Sequence, residues 1–295
     1  MSNGSTPQTV TLQNAALTCV VALRGAELRS LRDSASNDEF IWQRDPAVWA
    51  ASAPILFPVI GRLKDGGYVL DGRFHEIPKH GFARGMDFSL WHANETSATF
   101  HLTNSTATIA AYPYAFTLEV TFNLKARTLV VDYRVLNQND RTMFFALGSH
   151  PAFSLPAGLG PLEDWSIRFD ETEEPSCHRV AENLLSSAPE PFTFDADNGF
   201  VLTGDTFVRD ALIFKGIRSR HLQIVHREQG VRVRFDTGGA PALGIWSKPG
   251  APYVCLEPWF GFDDSSEINV DIRQKPDMLR LAAGETFAAA YSVTV

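Results

Sequence analysis

The sequence has few cysteines and no excess of positive charge. Its three cysteines among 295 residues, Cys19, Cys177 and Cys255, are odd in number and far apart, and none belongs to a CxxC pair. A disulfide framework and a structural zinc site are therefore not expected. Acidic residues outnumber basic ones by 34 to 26, which gives a net charge of -8. The basic surface expected of a nucleic-acid-binding protein is missing.

Membrane-spanning and targeting segments are missing as well. No apolar run approaches the roughly 20 residues that a membrane helix needs. The opening MSNGSTPQ has neither the basic nor the apolar region of a signal peptide. We therefore expect a cytoplasmic protein with no membrane partner and with flexible residues 1–8. No low-complexity linker, composition shift or fixed-period repeat divides the chain, which predicts a single domain over residues 1–295.

Alternation with a period of two dominates the chain. Residues 116–124, FTLEVTFNL, are apolar at every second position, which predicts a half-buried strand. Residues 129–135, LVVDYRV, are also rich in strand-forming residues, and the short KAR connection predicts a hairpin. Residues 231–236 alternate in the same way. These patterns predict an all-β fold, a large antiparallel β-sandwich.

Helical periodicity over three or more turns is hard to find. The best short candidates lie around Asp45–Ala51 and near Glu171. Residues 156–210 are irregular and rich in proline, serine and acidic residues, which predicts long loops between strands. We expect only a few short helices.

Two ionisable residues end apolar runs directly before a proline. They are His150 in LGSHPAFSLP and Glu257 in PYVCLEPWFGFDD. A residue before proline is kept in extended conformation, so we expect both side chains to be rigidly held at strand ends. The alternative is that both are ordinary strand ends facing water. Trp259 follows closely and suits either the core or contact with the C–H face of a sugar.

Basic and acidic residues in turns are further candidates. His80 and Arg84 lie in PKHGFARGMDF, and Arg62 follows the apolar LFPVI with only a glycine between. The alternative for Arg84 is a structural ion pair, for example with Asp87. Asp210 opens DALIFKGI, where an aspartate usually serves a turn.

These segments together resemble the aldose 1-epimerase, or galactose mutarotase-like, family, and within it the bacterial LacX-type branch. The matching pieces occur in family order along nearly the whole chain: EFIWQRDPAVWAASAPILFPVIGRLKDG (39–66), PKHGFAR (78–84), GSHPAF (148–153), DALIF (210–214), VCLEPWFG (254–261) and QKPDMLRLAAGETFAAAYSV (274–293).

The resemblance implies a galactose mutarotase-like supersandwich with an open groove. It also implies interconversion of the α and β anomers of a free aldohexose, with no metal and no cofactor. Carried over by position, Glu257 is the general base, His150 the general acid and His80 a second histidine that holds the ring-side oxygens. The expected sugar-binding residues are Arg62, Asp210, Arg84 and Trp259.

The chemistry of anomer exchange suits these residue types. One proton has to leave the C1 hydroxyl and another has to reach the ring oxygen before the ring opens. A carboxylate suits the first role. An imidazole suits the second, because its ordinary pKa is about 6.5.

Several alternatives stay open at the level of sequence. Arg62 and Arg84 favour a phosphorylated hexose, since arginine binds phosphate in a bidentate manner. A non-catalytic sugar-binding protein on the same scaffold is a second alternative. A glycoside hydrolase would need two carboxylates, for example Glu257 with Asp263 or Asp264. A metal-dependent cupin-type isomerase is disfavoured, because no HxH pair has a glutamate and a histidine at close spacing downstream.

Overall fold

A computed structural model describes residues 9–262, 264–267 and 270–295. Residues 1–8, which are predicted to be flexible, and Asp263 lie outside the described residues. Strands dominate the described part of the chain, so the predicted all-β fold is confirmed. Within that part, none of the helices is long and apolar enough to cross a bilayer.

The strands are numbered here in chain order. They are β1 (Thr9–Gln13), β2 (Leu17–Ala22), β3 (Glu27–Asp33), β4 (Ile55–Leu56), β5 (Gly67–Leu70), β6 (Arg73–Glu76), β7 (Ser89–Ala93), β8 (Ser97–Thr103), β9 (Phe116–Lys125), β10 (Thr128–Asn137), β11 (Met143–Phe145), β12 (Leu147–Ser149), β13 (Ala152–Ser154), β14 (Trp165–Phe169), β15 (Ser176–Cys177), β16 (Val180–Ala181), β17 (Leu184–Leu185), β18 (Glu190–Pro191), β19 (Gly199–Val201), β20 (Leu212–Lys215), β21 (His221–His226), β22 (Gly230–Asp236), β23 (Ala242–Trp246), β24 (Tyr253–Phe260), β25 (Leu279–Leu281) and β26 (Thr286–Thr294).

The helices are few and short, as predicted. The α-helix α1 (Thr106–Ala111) is capped by Ser105, whose hydroxyl accepts from the Thr108 N–H. Five 3-10 turns complete the helical segments of the described residues: Lys64–Gly66, Ala83–Gly85, Ala157–Leu159, Leu162–Asp164 and Ile272–Gln274.

Two large antiparallel sheets form the sandwich. One has nine strands in the order β19-β14-β21-β22-β26-β10-β9-β8-β7. The other has the order β20-β23-β24-β12-β4, with β13 also paired to β24. Phe153 of β13 contacts Phe235 of β22 across the two sheets, with ring centroids 5.9 Å apart. A third sheet has the order β1-β2-β3. The predicted antiparallel β-sandwich is therefore confirmed.

The hairpin of β9 and β10 follows the predicted pattern. Phe116, Leu118, Val120, Phe122 and Leu124 are all buried, and the residues between them are partly exposed. The strands pair in one register that ends at Lys125 and Thr128. Burial of the apolar side of this alternation stabilises the sheet by about 25 cal/mol per Å² of apolar surface removed from water. One cluster of buried apolar side chains includes residues from Leu12 to Val293. A continuous core of this kind supports a single domain, which stays a prediction.

Both predicted helix positions are wrong. Residues 45–51 form only one turn, in which the Val48 and Trp49 N–H groups donate to the Asp45 carbonyl. The turn does not extend into a helix, and a few residues later the N–H groups of Ser52 and Ala53 donate to the Glu27 carboxylate instead of to helical carbonyls. The N–H of Glu171 donates to the Ser219 hydroxyl instead of a helical carbonyl.

Candidate active site

His150 and Glu257 face each other across a break in the six-stranded sheet. On one side of the break, Gly148 of β12 pairs with Trp259 of β24. On the other side, Ala152 of β13 pairs with Cys255. The register is the same before and after the break, so His150 lies opposite Glu257 at the distance of a cross-strand pair. The interruption leaves the two ionisable side chains together without a ladder between them.

The two prolines explain why the break occurs there. Pro151 and Pro258 have no backbone N–H to give to a ladder, and both lie where the pairing of β24 with β12 and β13 is interrupted. The prediction that Glu257 ends its strand is wrong, because β24 continues to Phe260. Pro258 is tolerated inside β24 because the missing N–H falls at this interruption, while on its other side it pairs with Leu243 of β23.

His150 and Glu257 form a buried pair. Nε2 of His150 lies 3.3 Å from Oε1 of Glu257. The two residues are only 8% and 2% exposed, so the alternative that they are ordinary strand ends facing water is wrong. Burial lowers the pKa of His150 to about 3, and the charges of Lys79 and Arg84 act in the same direction. The imidazole therefore does not take up a further proton near neutral pH.

His80 is held in a single tautomer by its own turn. Its backbone is left-handed with φ 65°, and its N–H donates to the Gly61 carbonyl at 2.7 Å. The Gly61 N–H donates back to Nδ1 of His80 at 3.0 Å. Burial, with the nearby charges of His150 and Lys79, lowers the pKa of His80 well below its ordinary value. A neutral imidazole whose Nδ1 accepts has its proton on Nε2.

Two tryptophan rings lie against His150, and a tyrosine lies behind them. The Trp49 ring lies 5.0 Å from the His150 ring, and Trp246 contacts both of them edge-on at 5.6 Å. Tyr253 stacks on Trp49 at 5.6 Å. Trp49 and Trp246 were not predicted as site residues, because neither lies beside an ionisable residue along the chain. The matching segment QRDPAVW around Trp49 was the available signal.

Trp259 fits its place because two glycines flank it. Gly148 pairs with Trp259, and Gly244 pairs with Glu257. A Cβ at Gly244 would lie 2.8 Å from the Trp259 ring, and one at Gly148 would lie 2.9 Å from it. The indole Nε1 is buried and has no hydrogen-bond partner among the described residues. The ring is therefore fixed by packing beside the His150–Glu257 pair.

These side chains line one cavity of about 460 Å³. Six of the predicted site residues are among its lining residues: His80, Arg84, His150, Asp210, Glu257 and Trp259. The cavity walls also include Trp49, Lys79, Trp246 and, from the segment predicted as long loops, Val180, Phe207 and Val208. The volume of the cavity is typical of small-molecule sites and is large enough for a hexose.

Comparison with known proteins shows which family the chain belongs to. The family model described as aldose 1-epimerase matches residues 8–294 of the chain. The chain belongs to the aldose 1-epimerase family. The predicted resemblance is thereby confirmed, and the family implies a small-molecule sugar as the ligand.

Individual relatives of this aldose 1-epimerase family member cover nearly the whole chain. The protein LacX, chromosomal, of Lactococcus lactis subsp. lactis is 30% identical over an alignment of 297 positions, which covers 97% of this chain and 99% of LacX. The galactose mutarotase related enzyme of Lactobacillus acidophilus has a TM-score of 0.93 at 32% identity, covering 97% of both chains. A galactose mutarotase-like protein of Lactobacillus casei has a TM-score of 0.91 at 29% identity, covering 97% of this chain and 99% of that one.

Of the predicted sugar-binding residues Arg62 and Asp210, only Asp210 lines the cavity of this aldose 1-epimerase family member. Arg62 is exposed and is not among the residues that line the cavity. Asp210 lines the cavity with a left-handed backbone, φ 64°, and its Oδ1 accepts from the Ala211 N–H at 2.8 Å. This bond is the turn interaction expected of aspartate at the start of a strand. Sugar binding by both residues stays a prediction.

Two cationic side chains lie at the cavity of this epimerase-family protein. Lys79 and Arg84 both line it. The suggested ion pair of Arg84 with Asp87 is wrong, because Asp87 pairs with Arg24 at 3.4 Å. Neither Lys79 nor Arg84 has an ion pair within the described part of the chain. Their charge is therefore available to a ligand.

The carboxylates suggested for glycoside hydrolysis are not assembled in the described structure. Asp264 is buried and accepts from the Lys64 N–H at 2.9 Å. It also pairs with the buried Lys275. Asp264 does not line the cavity, and Asp263 lies outside the described residues. Asp264 is held as a structural group that links the loops beside the site.

One group of side chains at the site has the composition of a metal-binding cluster. The ligand atoms of His150, Cys255 and Glu257 all lie within 4.8 Å of one another. A metal-bound cysteine has to be a thiolate. Burial, with the charge of Glu257, raises the pKa of Cys255 well above its ordinary value, so the thiol keeps its proton. The expectation that no metal is needed stays a prediction.

Proposed function

We propose that the protein is a cofactor-independent aldose 1-epimerase that interconverts the α and β anomers of a free aldohexose. The observation that carries this proposal is the buried contact of 3.3 Å between His150 Nε2 and Glu257 Oε1 at the cavity. A carboxylate and an imidazole in contact form an acid and base pair for one substrate.

The pair can work with a single mobile proton. Glu257 takes the proton of the C1 hydroxyl as the C1–O5 bond breaks and the C1–O1 double bond forms. The neutral imidazole of His150 then passes this proton through Nε2 from Glu257 to O5, so that both residues return to their starting protonation states. After rotation about the C1–C2 bond the steps run in reverse. O5 then attacks the opposite face of C1, and the ring closes as the other anomer. The pair gains and loses no net charge during the cycle, which suits a buried site where an unbalanced charge is costly.

His80 and Trp259 complete the site in this proposal. His80 presents Nε2–H, because Gly61 occupies its Nδ1, and this donor holds a sugar oxygen. The Trp259 ring packs on the C–H face of the sugar. Trp49 and Trp246 keep the His150 ring in place. Geometry of this kind sets which atoms receive protons.

A phosphorylated hexose is the second candidate substrate. Its support is the pair of cations, Lys79 and Arg84, that line the cavity without an ion pair among the described residues. Arginine is well suited to a phosphate group. The anionic group would lie on the cationic side of the cavity while C1 lies at the His150–Glu257 pair.

The test follows the relaxation of freshly dissolved α-glucose, α-galactose and glucose 6-phosphate by NMR, corrected for the spontaneous rate. We expect acceleration of at least one sugar, and a loss of about 100-fold to 10,000-fold in kcat/KM for Glu257→Gln. Glu119→Gln is the matched control, since Glu119 pairs with His101 at 2.8 Å outside the cavity. Glu119→Gln should have the same kcat/KM as the wild type for each sugar.

Three results would change the proposed function or its mechanism. Binding of hexose without acceleration of any of the three sugars would show a non-catalytic sugar-binding protein. Acceleration of glucose 6-phosphate that falls in Arg84→Gln, with glucose unaffected by the protein, would show the phosphorylated substrate. Equal rates for wild type and Glu257→Gln would remove the carboxylate from the mechanism.

A further inference from the structure

A second cavity lies beside the three-stranded sheet, away from the residues described so far. It has a volume of about 310 Å³ and is lined by all three strands of that sheet and by the segment after β3. We call it the arginine cavity after three of its lining residues, Arg29, Arg32 and Arg44. It shares no lining residue with the catalytic cavity, and it does not depend on the proposed activity.

A bulge in β3 turns Arg29 into this cavity. Val20 of β2 pairs with Ser30, but its neighbour Val21 pairs with Leu28, so Arg29 is an extra residue without a partner in β2. Bulges re-aim side chains and recur beside functional sites. Leu28 and Leu31 are buried on the core side, whereas Arg29 lines the arginine cavity with Ser30. The bulge is kept in place by Gln43, whose Nε2 donates to the Arg29 carbonyl at 3.0 Å.

Arg44 enters the same cavity from a constrained backbone. Its φ is 60°, a left-handed value that costs a non-glycine residue free energy and is found at functional sites. Its Nε is buried and has no hydrogen-bond partner among the described residues. Burial lowers the pKa of Arg29, the charge of Glu27 opposes this shift, and the charge of Arg44 adds to it. Both guanidinium groups line the same cavity, and one of their donors has no partner among the described residues.

The carboxylates nearby balance only part of the charge of the three arginines. Glu27 pairs with Arg29 at 2.9 Å, and the same carboxylate accepts from the Ser52 N–H. Glu39 lines the cavity, but its oxygens accept from the Ser30 hydroxyl and from the N–H groups of Leu31 and Ile41. Burial raises the pKa of Glu39, while these hydrogen bonds and the charge of Arg32 act in the opposite direction. Arg32 and Arg44 make no ion pair in the described part of the chain.

We propose that the arginine cavity binds an oxyanion of the phosphate type, either free phosphate or the phosphate group of a small molecule. The planar guanidinium forks of Arg29 and Arg44 match phosphate oxygens, and a doubly charged anion offsets their mutual repulsion. The buried Nε of Arg44 supplies a donor that water does not reach. The cavity is large enough for an organic group beside the phosphate.

The test is isothermal titration calorimetry with inorganic phosphate at low ionic strength. We expect Arg44→Gln to weaken binding about tenfold, the effect of losing one charge-assisted hydrogen bond. Arg32→Gln, at an exposed position, should weaken it as well without a change in folding. Arg134→Gln, an exposed arginine of β10 outside both cavities, is the matched control and should bind as the wild type does.

Further titrations identify the ligand and show which of the two cavities binds it. Tighter binding of glycerol 3-phosphate than of phosphate would indicate a phosphorylated small molecule, and the reverse order would indicate free phosphate. Acetate that binds as tightly as phosphate would overturn the phosphate class. Binding that is weakened by Arg84→Gln but not by Arg44→Gln would place the anion in the catalytic cavity and overturn the proposal. No phosphate binding by the wild type would overturn it too.

Discussion

The His150–Glu257 pair makes a quantitative prediction for a double-mutant cycle. Each single change, His150→Asn or Glu257→Gln, should lower kcat/KM by about 100-fold to 10,000-fold. At about 1.36 kcal/mol per factor of ten, this is a loss of about 2.7 to 5.4 kcal/mol in transition-state stabilisation. Both substitutions keep the volume of the side chain close to the original, so the fold should be intact.

The two losses should not multiply. With Nε2 of His150 3.3 Å from Oε1 of Glu257, one mobile proton serves both catalytic steps, and removal of either partner stops its transfer. The double variant should therefore be about as slow as the slower single variant, as residues that act as a unit are. Two independent groups would instead give a loss of about 10,000-fold or more.

The assay is NMR exchange between the anomers at high protein concentration, so that slow variants are measured above the spontaneous rate. His101→Asn with Glu119→Gln provides the matched cycle, because that pair joins β8 and β9 at a distance of 2.8 Å and does not line the cavity. A multiplicative loss in the His150 and Glu257 cycle would refute the single shared proton, even if each residue is needed alone.

Three further predictions concern the surroundings of the pair. Gly244→Ala puts a Cβ 2.8 Å from the Trp259 ring, so thermal unfolding should report a loss of about 1–3 kcal/mol, whereas Gly158→Ala, with open space around it, should be near neutral. Because burial lowers the pKa of His150 to about 3, this residue titrates well below the range from about pH 5 to pH 8. A profile of kcat/KM against pH should therefore be level in that range. A tenfold fall in kcat/KM per pH unit on acidification there would contradict the argument. Asp264→Asn leaves its lysine partner buried without a counter-charge, and chemical denaturation should show a loss of about 3–5 kcal/mol, against no change if the pair is immaterial.

The helix α1 shows where local signals were present but were not used. Ser105 and Thr108 form a capping box, in which each side chain bonds the backbone of the other residue. A serine followed three residues later by a polar partner is the signature of a helix start. Around Asp45 the opposite occurred, since a local turn signal was present but the Glu27 carboxylate accepts from the N–H groups of Ser52 and Ala53 just after the turn. A contact with a residue far away along the chain therefore fixes the backbone after that segment.

The sequence by itself determined the strand class of the fold, because alternation at 116–124 and 231–236 can bury an apolar side only as half-buried strands. It also marked His150 and Glu257, since each precedes a proline that removes a ladder hydrogen bond. Only the tertiary structure decided that these two residues share one register position, that Trp49 and Trp246 enclose the histidine, and that Arg62 lies outside the cavity lining. The physical reason is that a strand pattern fixes which side of a strand is buried, whereas the partner across the sheet is set by packing between segments far apart in the chain.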